Sequence, residues 1–167
     1  IDFSVNGSDP DGTDGDNVPD EFSFTPIEVD QDAEIGLAKR LVNATLNPDG
    51  SFAATFEFNV ENCGNVHLSD VQVSDALQDV TFDDHCEVQI LSLTSDDFIV
   101  NDDYDGDADI ELLADGNNLL VGDKGSILLT VLVIDCDDEQ LNAGGADFNN
   151  FASASGVSPF GNTDTDT

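Results

Sequence analysis

Phe52-Ala53-Ala54-Thr55-Phe56-Glu57-Phe58-Asn59-Val60-Glu61 decides the fold class. Phe52, Ala54, Phe56, Phe58 and Val60 alternate with Ala53, Thr55, Glu57, Asn59 and Glu61. Four large apolar side chains therefore share one face of an extended chain, the period-two pattern of a half-buried antiparallel strand. Further along, Ser126-Ile127-Leu128-Leu129-Thr130-Val131-Leu132-Val133-Ile134 is almost continuously apolar. Its density of Val and Ile, and the flanking Gly125 and Asp135, favour strand over helix. Such a run is expected in a central strand, covered on both faces or packed against a neighbour.

Outward from these two stretches, strand signals recur near 22–29, 33–42, 66–75, 79–93, 97–101, 110–121 and 147–157, separated by Gly, Asn and Asp clusters. No stretch carries a convincing helical period. Seven or more short strands without helices predict an all-β fold, an immunoglobulin-like antiparallel β-sandwich with an acidic N-terminal segment; a closed barrel is the alternative.

The chain has 167 residues, enough for one domain with attached segments. Its 37 Asp and Glu face only 3 Lys and Arg, a formal net charge of −34. Nucleic-acid binding by phosphate neutralisation is excluded, because counterion release needs clustered cations, and docking on anionic membranes is disfavoured for the same reason. Charge this lopsided would suggest disorder, but 39% hydrophobic residues and 11 Phe supply a core. Bound cations, high salt or intersubunit contacts must offset the repulsion. No apolar run reaches the ~18 residues of a membrane span, and the chain has no Met and no signal peptide, which reads as a mature or excised segment. Asn6-Gly7-Ser8 and Asn43-Ala44-Thr45 match the short glycosylation sequon.

With the strands placed, Asn59-Val60-Glu61-Asn62-Cys63-Gly64-Asn65-Val66-His67-Leu68-Ser69-Asp70-Val71-Gln72-Val73-Ser74-Asp75-Ala76-Leu77 resembles a bacterial and archaeal surface repeat. That repeat is the "domain of unknown function eleven", whose pattern runs V-x-N-x-G-N, then L-x-x-V-x-V-x-D-x-L. Tyr104-Asp105-Gly106-Asp107-Ala108-Asp109 with Leu112-Leu113 and Gly122-Asp123-Lys124-Gly125-Ser126, and the strand Asn150-Phe151-Ala152-Ser153-Ala154-Ser155-Gly156, are similar to the same family. The likeness runs over about residues 33–158. It implies an immunoglobulin-like sandwich repeated in large secreted or cell-surface proteins; it implies no enzymatic activity and names no ligand. The opening Asn6-Gly7-Ser8-Asp9-Pro10-Asp11-Gly12 looks like the linker that follows a closing strand and an Asp-Thr run such as Thr163-Asp164-Thr165-Asp166-Thr167. The expected organisation is a short strand plus an Asp-rich calcium-binding linker over 1–31, the sandwich over 32–158, and a connecting tail over 159–167.

Within that linker, Asp9, Asp11, Asp14, Asp16, Asp20 and Glu21 lie on a glycine-permitted loop. Calcium takes six to eight oxygens, which alternating carboxylates and backbone carbonyls supply, whereas magnesium prefers to keep its waters. Asp14-Gly15-Asp16-Asn17-Val18-Pro19-Asp20 resembles the Asp-rich calcium repeats of thrombospondin type. It departs from an EF-hand: the sixth position from Asp9 is Asp14, not Gly, and no flanking helices are evident. A solvated acidic linker is the plainer reading. A second cluster, Asp102, Asp103, Asp105, Asp107 and Asp109 around Gly106, is a calcium candidate against a simple acidic turn. Asp135, Asp137, Asp138 and Glu139 read as a strand exit. The bias of 29 Asp to 8 Glu favours loops and metal sites, with adaptation to high salt as the rival explanation.

Three cysteines fit an oxidising exterior with one disulfide and one spare thiol. If the strands follow immunoglobulin order, those ending at Cys63 and Cys136 run the same way in opposite sheets, which makes Cys63–Cys136 the expected bridge, Cys63–Cys86 the second choice and three free thiols the remaining case. Lys39 shares a strand face with Ile35, Leu37 and Leu41. An amphipathic lysine that reaches water is the simplest account; pairing with a carboxylate, or an isopeptide crosslink to an Asn as in some immunoglobulin-like surface proteins, is the alternative. His67 and His85 are too few and too far apart for a zinc site, and no G-x-S-x-G, HExxH, CxxC or phosphate loop is present.

The sequence thus points to a non-enzymatic structural module of an extracellular prokaryotic filament or surface fibre. Its copies would join head to tail, as a homopolymer or as tandem repeats, with calcium-stiffened linkers. The alternating Ile1-Asp2-Phe3-Ser4-Val5 is a candidate donor strand for a neighbour's sheet edge. The alternatives are a calcium-dependent adhesin gripping a glycan or cell-surface partner through the 102–109 loop, and an S-layer or cell-wall repeat. No nucleic acid and no membrane insertion are expected.

Overall fold

The structure is a computed structural model that describes residues 27–78, 86–134, 136 and 150–167. The chain divides into two units, Ile1–Asp30 and Gln31–Thr167. In the second unit the strands are β1 Ile35–Leu46, β2 Phe52–Asn62, β3 Ser69–Ser74, β4 Glu87–Thr94, β5 Lys124–Ile134, β6 Ser153–Val157 and β7 Thr163–Asp166. They form a four-stranded sheet in the order β1-β2-β5-β4 and a three-stranded sheet in the order β3-β6-β7, with every ladder antiparallel. Lettered in chain order A to G, these are the A-B-E-D and C-F-G sheets of the constant-type immunoglobulin sandwich.

The alternation in β2 is realised as read: Ala54, Phe58 and Val60 are buried, and Asn59 is exposed. β5 occupies the centre of its sheet, yet only one of its faces is fully covered. Ile127, Leu129, Val131 and Val133 are inside, whereas Leu128 between them is 40% exposed. Val71, Val73 and Ala154 of the facing sheet complete the core with Leu68 and Leu77. Gly125 begins the buried phase of β5 because a Cβ there would overlap the ring of Phe98.

Two expected strands, 97–101 and 110–121, are instead pieces of a long connection between β4 and β5. Its only β-pairing among the described residues is in isolated bridges: Val100 with Leu113 within the connection, and Ser74 with Glu111 and Leu68 with Leu119 to the residues in and beside β3. The turn at Asp115-Gly116-Asn117-Asn118, with Gly116 at φ 88°, breaks the second stretch before a ladder can propagate. Leu112, Leu113 and Leu119 are still buried, and Leu112 and Leu119 donate backbone hydrogen bonds to Val73 and Leu68 beside β3. For the strand expected over 22–29, residues 27–29 are irregular and exposed, and the remainder lies outside the described residues.

β7 falls within the segment expected to be a connecting tail. It has no apolar residue, and its period-two pattern is Thr-Asp-Thr-Asp. Asp164 Oδ2 accepts the Ile35 N–H at 2.8 Å, and Asp166 Oδ2 accepts the Leu37 N–H at 2.8 Å. Carboxylates thereby take the place of strand carbonyls along the first residues of the β1 edge, which would otherwise carry unpaired donors.

The expected Cys63–Cys136 bridge is not formed: Cys86 is bonded to Cys136 and Cys63 is free. The reason is the sheet order. β5 lies beside β2 and antiparallel to it, with Phe52 opposite Val133 and Glu61 opposite Lys124. Cys63, past the end of β2, and Cys136, past the end of β5, are therefore at opposite ends of one sheet. Glu87 of β4 pairs with Ile134, and this register brings the Cys86 and Cys136 Cα atoms to 4.0 Å.

Candidate functional site

The residues that carry the sequence pattern around 60–77 are packing and hydrogen-bonding residues, with one exception. Asn62 is buried and its side-chain amide donates to the carbonyls of Val66 and Leu119, while its Oδ1 accepts from Gly64 N. Gly64 lies so close to the backbone of Asp32 and Glu34 that no side chain fits. Leu68, Val71, Val73 and Leu77 fill the core. The exception is Asp75, a carboxylate in the buried phase of this alternation, only 1% exposed.

Asp75 meets Lys39, whose side chain is 12% exposed and points inward from β1. Lys39 Nζ donates to Asp75 Oδ2 at 2.6 Å and lies 5.1 Å from the ring centroid of Phe56 and 4.9 Å from that of Phe58. The lysine thus sits between a carboxylate and two aromatic faces rather than reaching water, and the simpler sequence expectation for it is overturned. The Tyr104 hydroxyl donates to the Asp75 carbonyl at 3.0 Å and closes another side of the cluster. Asn150, three residues ahead of β6, directs its side-chain amide at the same carboxylate. Among the described residues Asp75 Oδ1 has no hydrogen bond of full geometry.

Burial dominates the electrostatics of this cluster. Desolvation pushes the Lys39 amine below its ordinary value, against the attraction of Asp75, and raises the Asp75 carboxyl, against Lys39 and Asn150. Both shifts run toward the neutral forms, and moving one proton along the 2.6 Å hydrogen bond would give the neutral amine beside the neutral acid. Burial, followed by the nearby Asp75, Asp105 and Asp109 carboxylates, raises the Tyr104 phenol and keeps it a donor.

Tyr104 belongs to the acidic loop singled out above. Asp105 Oδ1 accepts the N–H groups of Asp107 and Asp109, each at 2.9 Å, and these hold its carboxyl below the usual range. Asp109 Oδ1 accepts from Glu111 N and its Oδ2 from the Asn101 amide. Asp102, Asp103 and Asp107 are exposed. Gly106, at φ 77°, packs against Leu77 and Tyr104. Two carboxylates are thus committed to the loop's own backbone. Among the described residues no three His, Cys, Asp or Glu side chains converge on one point. The first candidate set, Asp9, Asp11, Asp14, Asp16, Asp20 and Glu21, and the acidic run Asp135, Asp137, Asp138 and Glu139 lie outside the described residues. His67 is exposed; His85 is also outside them.

An open groove of about 540 Å³ carries Glu61, Cys63, Asp97, Lys124 and Asp166. Lys124 Nζ pairs there with Glu61 Oε1 at 3.0 Å, both partners largely exposed, a contact of little energetic weight. Slight burial, then the carboxylates of Glu61, Glu34 and Asp166, pushes the Cys63 thiol up, away from reactivity.

The lysine, carboxylate and amide cluster was only half visible in the sequence. Lys39 stood out as a cation on an apolar face. The signal for Asp75 was its phase, two residues after Val73 and four after Val71, where alternation calls for an apolar side chain. Nothing local marks Asn150. No family model matches the chain, and no curated protein matches it in sequence.

Proposed function

We propose that this chain is a non-enzymatic structural module of an extracellular assembly, a filament subunit or tandem surface repeat. The observation that carries the reading is the constant-type sandwich bridged by Cys86–Cys136, since disulfides persist in oxidising environments outside the cytosol. The net charge of −34 adds weight, because a surface of one sign suits a protein that meets salt or divalent cations rather than nucleic acid. In this reading Asp9, Asp11, Asp14, Asp16, Asp20 and Glu21 bind calcium and stiffen the joint between consecutive modules. Ile1–Val5 add to a neighbour's sheet edge. The edges that a partner strand would meet are β4 and the part of β1 beyond Leu37, where the Asp164 and Asp166 carboxylates no longer occupy the donors.

Particle size and melting temperature, measured with millimolar calcium and with a chelator, test the reading. Growth into filaments with a higher melting temperature is the expected result. A melting shift without growth would move the assignment to a monomeric calcium-binding module. Normal assembly after deletion of residues 1–5 would eliminate strand addition.

A further inference from the structure

Lys39, Asp75 and Asn150 come from three separate parts of the chain: β1, the end of β3 and the approach to β6. They meet at the Asp75 carboxylate: Lys39 Nζ is 2.6 Å from one of its oxygens and faces the rings of Phe56 and Phe58, the Tyr104 hydroxyl bonds the Asp75 carbonyl, and the Asn150 amide is directed at the same carboxylate. An ion pair alone would not call for the amide. Nor is a buried pair in itself a strong source of stability, since desolvation consumes most of the Coulomb gain.

The geometry points to a covalent bond: Lys39 Nζ attacks Asn150 Cγ, with Asp75 as proton carrier, to form an intramolecular isopeptide that ties the two sheets together. The amine must be neutral to act as a nucleophile, and Asp75, 2.6 Å away, is placed to take its proton while burial shifts the amine toward that state. One proton passes from the Lys39 ammonium to Asp75. The Nζ–Cγ bond then forms while the protonated Asp75 hydrogen-bonds the amide and stabilises the developing tetrahedral centre. Asp75 relays a second proton from Nζ to Nδ2, the Cγ–Nδ2 bond breaks, and ammonia leaves.

The five hydrogens initially on Nζ and Nδ2 are then distributed as one on the new secondary amide, three on ammonia and one on Asp75. No oxidant, cofactor or second protein takes part. Holding amine and amide against one carboxylate in a site largely closed to water supplies the proximity that lets so slow an exchange proceed, since effective molarities of about 10⁵–10⁸ M are reached by well-oriented intramolecular reactions. The product would enclose the Cys86–Cys136 loop within a larger covalent loop from residue 39 to residue 150. The inference concerns the folded chain itself and stands whether or not the chain assembles.

The test is the intact mass of the purified full chain, denatured and reduced, followed by peptide mapping. The expected mass is one ammonia below that of the sequence, with a branched peptide joining Lys39 to Asn150. Lys39→Arg and Asn150→Ala should each show the full mass of their own sequence. Asp75→Ala, which retains both reacting groups, should show little or no ammonia loss. Full sequence mass in the folded wild-type chain would overturn the proposal without recourse to any variant. So would an ammonia loss that maps elsewhere, for instance to a succinimide at Asn6 before Gly7, or one that persists in Lys39→Arg.

Discussion

Removing the Cys86–Cys136 bridge gives the most quantitative check on the sheet order. The bridge spans 50 residues. The chain-entropy model for a loop of this size gives about 4 kcal/mol, from the extra freedom of the unfolded chain once the link is gone. Domains of this kind are stable by about 5–15 kcal/mol in all, so much of the margin is at stake. With a urea dependence of about 2 kcal/mol per M, the unfolding midpoint should fall by about 2 M. The assay is urea unfolding of the oxidised chain, the reduced chain and the double variant Cys86→Ser, Cys136→Ser. Comparing the last two separates the loss of the bridge from the placing of a hydroxyl where the buried Cys86 sulfur was. In parallel, the unreduced native chain should release one labelled thiol, Cys63. A midpoint that does not move, or a label found on Cys86 or Cys136, would refute the register in which β4 lies beside β5.

Three further outcomes are expected. Asp105→Ala should lose stability at neutral pH and converge with the wild type in acid. The folded-state value of Asp105 is depressed by the Asp107 and Asp109 N–H groups, so its contribution is present above about pH 4 and disappears as pH falls through the folded value; equal stability at pH 7 would argue against this loop structure. Gly125→Ala should cost about 1–3 kcal/mol in a denaturant titration, because the Phe98 ring has to give way to a new Cβ. Cys63 should react with iodoacetamide more slowly at pH 8 than an unstructured thiol, despite its exposure, because slight burial and then the carboxylates around it raise its value; an enhanced rate would contradict the surroundings described.

What the sequence disclosed and what it hid follow from the kind of signal each element carries. β2 declared itself through alternation because one face is core and the other is not. β5 was found for its Val and Ile content, but continuity of apolar residues overstated its burial, as Leu128 shows. β7 was invisible to any hydrophobic criterion: its Thr and Asp residues are chosen by the donors of β1 rather than by a core. The disulfide was misassigned because pairing depends on which strands are neighbours, and nothing near Cys63 or Cys136 encodes that. The acidic loop was located correctly as a feature. Its hydrogen bonds, however, commit two of its carboxylates to the loop's own N–H groups, a property of backbone direction that composition does not carry. Lys39 and Asn150 converge on Asp75 only through tertiary structure, across 36 residues in the case of Lys39.

The two clamps from β7 also have a mechanical meaning. Ile35 is held by Asp164 and Leu37 by Asp166, so the contacts advance in the same direction along both strands and β1 runs parallel to β7. Tension applied to the chain ahead of β1 and behind β7 would slide these strands past one another instead of peeling them apart. The two carboxylate contacts, and the β1–β2 and β6–β7 ladders behind them, would then be strained together, and rupture would require their simultaneous failure. Such a joint yields through a high barrier to unfolding rather than through a large equilibrium stability, which is the property that decides survival under pulling.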